Sequence, residues 1–335
     1  MKQRTRTKPP PEDAGHSAPA DCTLFRRCGR ILRLTAALVA VAALLIFVWS
    51  LLVEPKLLVV RRHEIAPPGW PETLDGYKIM LISDIHDFPH PRSPGKLRRI
   101  SEIAAANRPD LILLLGDYVY DMPKTTDNPE YPELTGFIST LKAEDGVYAV
   151  LGNHELWHGR MLVSDALTAG GATMLENQMT TIRHGDGKFQ LAGLPDCQTG
   201  PAPALKKISA SSNPYEPLLL VAHDPNAIIS SPPEATLMFS GHTHGGQLRF
   251  PGIGSLKHLF LDRWTTEPAQ NLAFNLHLNS YRGKLVYVSS GLGGDRLRAR
   301  LFCPPEVNIV TLHAPGTAIQ PLPAHEAWFP GNSGG

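Results

Sequence analysis

Short apolar runs alternating with helix-spaced segments predict an α/β fold over residues 70–314, with two packed sheets and helices outside them. Two further observations shape that expectation. Five of the runs end in oxygen- or nitrogen-bearing side chains, and one stretch near the N-terminus is apolar for long enough to cross a bilayer. The 335 residues allow one large domain or two small ones. A net charge of +1, with no clustered basic stripe, gives no footing for nucleic acid, and no nucleic-acid partner is expected. The four cysteines have no Cys-x-x-Cys spacing, which excludes a zinc ribbon or a disulfide-dense scaffold and leaves a Cys197–Cys303 pairing open.

Residues 1–33 are polar and rich in Pro, Lys and Arg, and read as a disordered tail. Leu34–Val53 follows without a charge. At about 20 residues it matches a ~30 Å hydrocarbon core, whereas the apolar region of a cleaved signal is roughly 7–15 residues. Lys2, Arg4, Arg6, Lys8, Arg26, Arg27, Arg30 and Arg33 precede the span, against Lys56, Arg61 and Arg62 close behind it. The positive-inside rule therefore keeps the N-terminus cytoplasmic and places everything after Val53 outside. Residues 54–69 read as a linker, and residues 315–335, rich in Pro and Gly, as an irregular tail.

Within the domain, Lys78–Ser83 is an expected buried strand ending at Asp84. Leu97, Ile100, Ile103 and Ala104 repeat at helical spacing, and Pro109 closes that helix. Leu111–Leu115 leads to Gly116-Asp117, a helix is expected over Leu134–Leu141, and Val147–Leu151 leads to Gly152-Asn153-His154-Glu155. A helix over Met161–Ala169 precedes weaker strand signals at Thr180–Arg183 and Phe189–Ala192. Strands over Pro217–Ala222 and Leu237–Ser240 end at His223 and at Gly241-His242-Thr243-His244. Leu285–Ser289 and Val307–Leu312 complete the set.

Ligand sites in open α/β sheets lie outside the carboxyl ends of strands. Each polar ending has a structural reading of its own: a helix cap for Asp84 or Asp117, a turn for Asn153, a hydrogen-bonded core histidine for His223. Together they form a set of carboxylate, amide and imidazole donors suited to manganese, iron or zinc.

In this order, Asp-x-His, Gly-Asp, Gly-Asn-His-Glu, a lone His and Gly-His-x-His resemble the calcineurin-like metallophosphoesterase superfamily. Gly116–Pro123, Gly241–Pro251 and Phe302–Val307 are similar to its bacterial membrane-associated YaeI/YkuE-like phosphodiesterase branch. The resemblance covers residues 70–313 and implies a four-layer α-β-β-α sandwich of two mixed sheets flanked by helices. It implies two divalent metal ions, manganese, iron or zinc. Asp84, His86 and His244 would bind the first, Asn153, His223 and His242 the second, and Asp117 would bridge them. Such a pair clamps the attacking and leaving oxygens of an in-line displacement and supplies hydroxide near neutral pH. His154 would protonate the leaving oxygen or steady its charge, and Glu155 would orient its neighbours.

Tyr120 stands three residues past Asp117, where purple acid phosphatases place an iron-binding tyrosinate, but the presence of His86 makes it redundant as a ligand. Arg249 and His158 are candidate substrate contacts, and Phe88, Tyr118, Trp157, Phe250 and Phe260 are candidates for an apolar rim. The expected activity is hydrolysis of a phosphodiester or pyrophosphate bond in a phosphorylated small molecule or lipid-linked substrate, by an enzyme anchored in the bacterial inner membrane. Hydrolysis of UDP-2,3-diacylglucosamine is one candidate. A phosphomonoesterase or protein phosphatase on the same site is the alternative, ahead of a metal-binding scaffold without turnover.

Overall fold

Strands as continuously apolar as Leu111-Ile112-Leu113-Leu114 need cover on both faces, and the fold supplies it. The computed structural model describes residues 20–120, 131–196, 202–256, 276–294, 298–317 and 325–328. Its helices are α1 (Ala20–Val48), α2 (Pro94–Asn107), α3 (Pro132–Thr140), α4 (Asn153–His158), α5 (Arg160–Ala169) and α6 (Ala202–Ser211). Strands β1 (Leu58–Ile65), β2 (Tyr77–Ile82), β3 (Leu111–Leu114), β4 (Val147–Ala149) and β5 (Thr173–Met174) come first. Then follow β6 (Gln178–His184), β7 (Gly187–Gly193), β8 (Leu218–Val221), β9 (Ala235–Ser240) and β10 (Arg249–Phe250). The last five are β11 (Gly254–Ser255), β12 (His277–Tyr281), β13 (Lys284–Val288), β14 (Glu306–Leu312) and β15 (His325–Trp328).

One sheet has the order β15-β1-β14-β2-β3-β4-β5 and the other β12-β13-β9-β8-β7-β6, with β10 and β11 as a separate ribbon. Strands β2 to β5 are parallel, as are β7, β8, β9 and β13, while β14 against β2 and β6 against β7 are antiparallel. Between the sheets, Ile79, Leu81, Leu111 and Leu113 share a core with Leu219, Val221, Leu237 and Phe239. Met80, Ile82, Ile112 and Leu114 face the other way, onto Leu97 and Ile100 of α2 and Phe137 of α3. On the far side, Leu218, Leu220, Met238 and Val286 pack with Ile208 of α6 and with Ile228. The layers are thus α-β-β-α, as the sequence predicts, and removing one such leucine side chain costs about 2–5 kcal/mol.

Three stretches differ from expectation. Residues 54–69 include β1, because Leu58-Val59-Val60 is buried and pairs with β14. The polar half of that strand conceals it in the sequence: Arg61 donates to the buried Glu306 at 2.6 Å. Residues 315–335 include β15, which pairs antiparallel with β1 and gives that strand a second neighbour. Residues 20–33, expected within the disordered tail, are helical as part of α1, since extending an existing helix costs far less than nucleating one. Counted from Phe25 through Lys56, this N-terminal helical stretch is long and apolar enough to cross a membrane by length and composition.

The segment Trp49–Lys56 is built into the domain. The Glu54 carboxyl is buried, accepting the Trp49 indole N–H at 2.8 Å and the Cys303 backbone N–H at 2.6 Å. Arg300, fully buried, donates to the carbonyls of Cys303, Ser290, Gly291 and Gly293, and its own N–H donates to Ser50 at 2.9 Å. Leaving the buried Cys303 N–H without an acceptor costs about 1–3 kcal/mol, and each kcal/mol is worth roughly 2–4 °C in a domain of this size. Glu54→Ala should therefore lower the melting temperature of the full chain in detergent by about 3–10 °C, as read by thermal unfolding.

Candidate metal centre

The site residues occupy backbone conformations that few side chains tolerate. Asp84, His86, Asp117, His242 and His244 have φ of 50°, 46°, 55°, 66° and 50°. The left-handed region costs an L-residue about 1–2 kcal/mol, least for short polar side chains that bond locally. Inter-loop hydrogen bonds sustain these turns. The N–H of Asp84 donates to Gly116 at 3.0 Å, that of His86 to Asp117 at 3.1 Å, and that of Gly241 to His223 at 3.0 Å. The His242 N–H donates to the Asp84 carboxylate at 3.0 Å, so the loops after β2 and β9 hold each other.

Two groups of buried or half-buried side chains result, and they share one member. Ligand atoms of Asp84, His86, Asp117 and His244 lie within 4.8 Å of one another, as do those of Asp117, His223 and His242. The Nε2 atoms of His86 and His244 are 3.2 Å apart, and His223 Nε2 is 3.2 Å from His242 Nδ1. Asp117 Oδ2 lies 3.1 Å from His223 Nε2 and 3.5 Å from His86 Nε2. With its Nδ1–H donated to the Val119 carbonyl at 2.9 Å, His86 presents Nε2 as a lone pair. His223 Nδ1 likewise lies 2.7 Å from the Leu115 carbonyl, which leaves its Nε2 facing Asp117.

Asn153 and His154 come from the start of α4. The buried Asn153 Oδ1 has no hydrogen-bond partner, an expensive state for an amide oxygen unless a cation takes its lone pair. His154 is buried, its N–H donates to Asp117 Oδ1 at 3.0 Å, and its Nε2 lies 4.0 Å from Asp117 Oδ2. Glu155 accepts four backbone N–H groups, from Asp117, Tyr118, Val119 and Gly152, at 2.8–3.1 Å. It orients the loops, as its sequence position suggests. Only glycine fits at position 152, where a Cβ would stand 2.1 Å from Asp117 Oδ1.

Burial pushes Asp84 up to about 6, with the Asp117 charge adding and His223 opposing. It likewise lowers His86 to about 4 and holds His242 and His244 below the usual imidazole range. Burial would lower His223 as well, but the Asp117 and Asp84 carboxylates raise it well above 6.5. Asp117, which burial alone would raise, is held far below the usual carboxylate range by His223, His86 and His154.

The other expectations divide. Arg249, in β10, donates to the Gly245 carbonyl at 2.9 Å and braces the loop that carries His244. His158 ends α4, and its side chain lies outside the described residues, as do Phe260 and Cys197. Phe88 and Tyr118 are core residues, whereas Trp157 is half exposed with its ring 5.0 Å from that of His154. The Tyr120 ring lies 4.3 Å beneath the Arg92 guanidinium. Sequence reasoning missed Gly291 and Gly293, which admit no side chain against Asp84 and Ile85, and Ser83, whose hydroxyl donates to Asp84. The glycine-rich run after β13 was the available signal.

The donor set fits two divalent ions: four imidazoles, two carboxylates and an unpartnered amide oxygen. Imidazoles bind a metal as free bases, and the Asp117 and Asp84 carboxylates favour the protonated form of His223, so metal uptake competes with protons there. Zinc or manganese affinity should therefore rise by up to about tenfold per pH unit below neutrality, with proton release measurable in weakly buffered titrations. Gly152→Ala should at least halve the metal content per chain, as measured by elemental analysis.

The calcineurin-like phosphoesterase family model matches residues 77–246. The Escherichia coli phosphodiesterase YaeI is 30% identical over 292 residues, covering 84% of this chain and 98% of the relative. The Bacillus subtilis metallophosphoesterase YkuE is 29% identical over 262 residues, covering 77% and 87%. The Chlamydia muridarum UDP-2,3-diacylglucosamine pyrophosphatase LpxG is 26% identical over 338 residues, covering 86% and 98%. With the family model spanning half of its length and the ligand cluster at the strand ends, this chain belongs to the calcineurin-like metallophosphoesterases.

Proposed function

We propose that the chain is a membrane-anchored phosphoesterase that hydrolyses a phosphodiester or pyrophosphate bond at a two-metal site. The observation that carries this reading is the sharing of Asp117 between two donor groups. Asp84, His86 and His244 would hold one ion, Asn153, His223 and His242 the other, with Asp117 common to both. When bound, the two ions supply charge stabilisation to an in-line displacement and a nucleophile near neutral pH. His154 stands beside the shared carboxylate, within reach of an oxygen leaving that position. Its role is to give that oxygen a proton or a hydrogen bond. Glu155 keeps Asp117 in place for this and does not meet the substrate.

A diester or pyrophosphate substrate is supported by relatives named as a phosphodiesterase and a UDP-2,3-diacylglucosamine pyrophosphatase. The apolar stretch Phe25–Lys56 supports an anchor, and the basic flank before it supports an extracytoplasmic domain on the bacterial inner membrane. A UDP-linked lipid is made on the cytoplasmic face, so that topology favours a lipid-linked diester on the outer face over the UDP compound.

The test compares bis-p-nitrophenyl phosphate with p-nitrophenyl phosphate on the full chain in detergent, with and without manganese. Metal-dependent cleavage of the diester, lost in Asp117→Asn, is expected; a preference for the monoester would establish the phosphatase alternative. His154→Ala should lower kcat by about 10²–10⁴ while metal content is retained. Unchanged turnover in that variant would remove His154 from the mechanism.

A further inference from the structure

We propose that a cavity beside the metal-bearing loop is a second anion site, seating the phosphate of an anionic phospholipid. The proposal extends the membrane-anchored reading above and rests on it for the choice of ligand. The cavity has a volume of about 260 Å³. Leu51, Ile85, Leu97 and Leu292 give it an apolar lining, while Asp87, Arg92, Lys96 and Arg298 give it a charged one. Ile85 lies between Asp84 and His86, and Arg298 donates to the His86 carbonyl at 3.0 Å, so the cavity shares a loop with the metal centre. None of its charged residues belongs to the ligand set.

Its charges are unbalanced. Four cationic side chains, those of Lys56, Arg92, Lys96 and Arg298, line it with the carboxylate of Asp87. That carboxylate is engaged by the backbone, accepting the N–H groups of Arg92 and Ser93 at 3.0 Å each. The Lys96 ammonium rests on the carbonyls of Pro55 and Leu292 at 3.0 and 3.4 Å, and Arg92 lies over the Tyr120 ring. Burial lowers Lys96 to about 8, and the Arg300 and Arg298 charges add to the effect. A bound anion would relieve this repulsion, and a guanidinium fork matches phosphate oxygens.

The apolar lining and the location narrow the anion to a lipid. Leu51 and Pro55 belong to the segment that directly follows α1, which in an anchored chain lies at the level of phospholipid phosphates. Drug-sized ligand pockets run to about 300–1,000 Å³, so this cavity takes a headgroup phosphate and the adjoining glycerol, not a whole lipid.

The experiment titrates the full chain in a neutral detergent with dihexanoylphosphatidylglycerol, dihexanoylphosphatidylcholine and inorganic phosphate, by calorimetry. Phosphatidylglycerol should bind at least tenfold more tightly than either of the others. Arg92→Glu and Lys96→Met should each weaken it at least fivefold, and Asp117→Asn should leave it unchanged. Arg92 is exposed at the rim, so its variant carries the test if Lys96→Met fails to fold. Equal binding of the two lipids, or no effect of Arg92→Glu, would overturn the proposal. Inorganic phosphate binding as tightly as the lipid would make this a free-phosphate site, and loss of binding in Asp117→Asn would place the lipid at the metal centre; either outcome also overturns it. Diester hydrolysis measured on the same samples separates the two readings. Lipid binding without hydrolysis removes the proposed activity and keeps the site, whereas hydrolysis without lipid binding does the reverse.

Discussion

Four backbone N–H groups converge on the Glu155 carboxylate, and the geometry of the metal centre depends on that convergence. Three come from the loop after β3 and one from the loop after β4, so a single side chain fixes two of the strand endings that carry ligands. Burial, with Asp117 close by, pushes Glu155 up to about 7, opposed by the N–H groups that favour its anion. Asp117, pinned through its own N–H, then stands where imidazoles from the second sheet meet it. The left-handed turns at five residues of the donor set are a local cost that these inter-loop bonds over-determine.

Much of this was legible in the sequence because it follows from local chemistry. Continuous apolar runs announced strands buried on both faces, and their polar endings announced the site. Asp84, His86, Asp117, His223, His242 and His244 stood out as polar strand endings, the family resemblance assigned them to metals, and the fold brings their ligand atoms together. What escaped notice depended on distant partners. Arg61-Arg62-His63-Glu64 has no strand signature, and Arg61 is at home in β1 only because Glu306, far along the chain, receives it. Gly291 and Gly293 look like an ordinary loop until Asp84 is seen to occupy the space a side chain would need. Arg249 had two readings of equal standing, and its hydrogen bond to the Gly245 carbonyl was not visible in either.

The loop from Asp84 to Asp87 joins the metal centre to the charged cavity. Its Asp84 and His86 side chains meet the imidazoles of the second sheet, while Ile85 and Asp87 line the cavity with Arg92, Lys96 and Arg298. The same loop also receives Gly293, whose N–H donates to the Asp84 carbonyl at 2.6 Å. Gly293 in turn accepts from Arg300, whose backbone is tied to Ser50. A continuous set of hydrogen bonds thus runs from the end of the apolar stretch to a residue of the donor set.

Strand β14 comes from near the C-terminal end of the described chain, yet it lies between β1 and β2, among the first strands made. Every member of the donor set has been synthesised before it. The first sheet nevertheless stays split, with Leu58-Val59-Val60 unpaired, until Glu306–Leu312 arrives to close it. Closure therefore works as a completeness check. A chain cut short before β14 carries the whole donor set but leaves an open apolar strand edge, which marks it for aggregation or proteolysis.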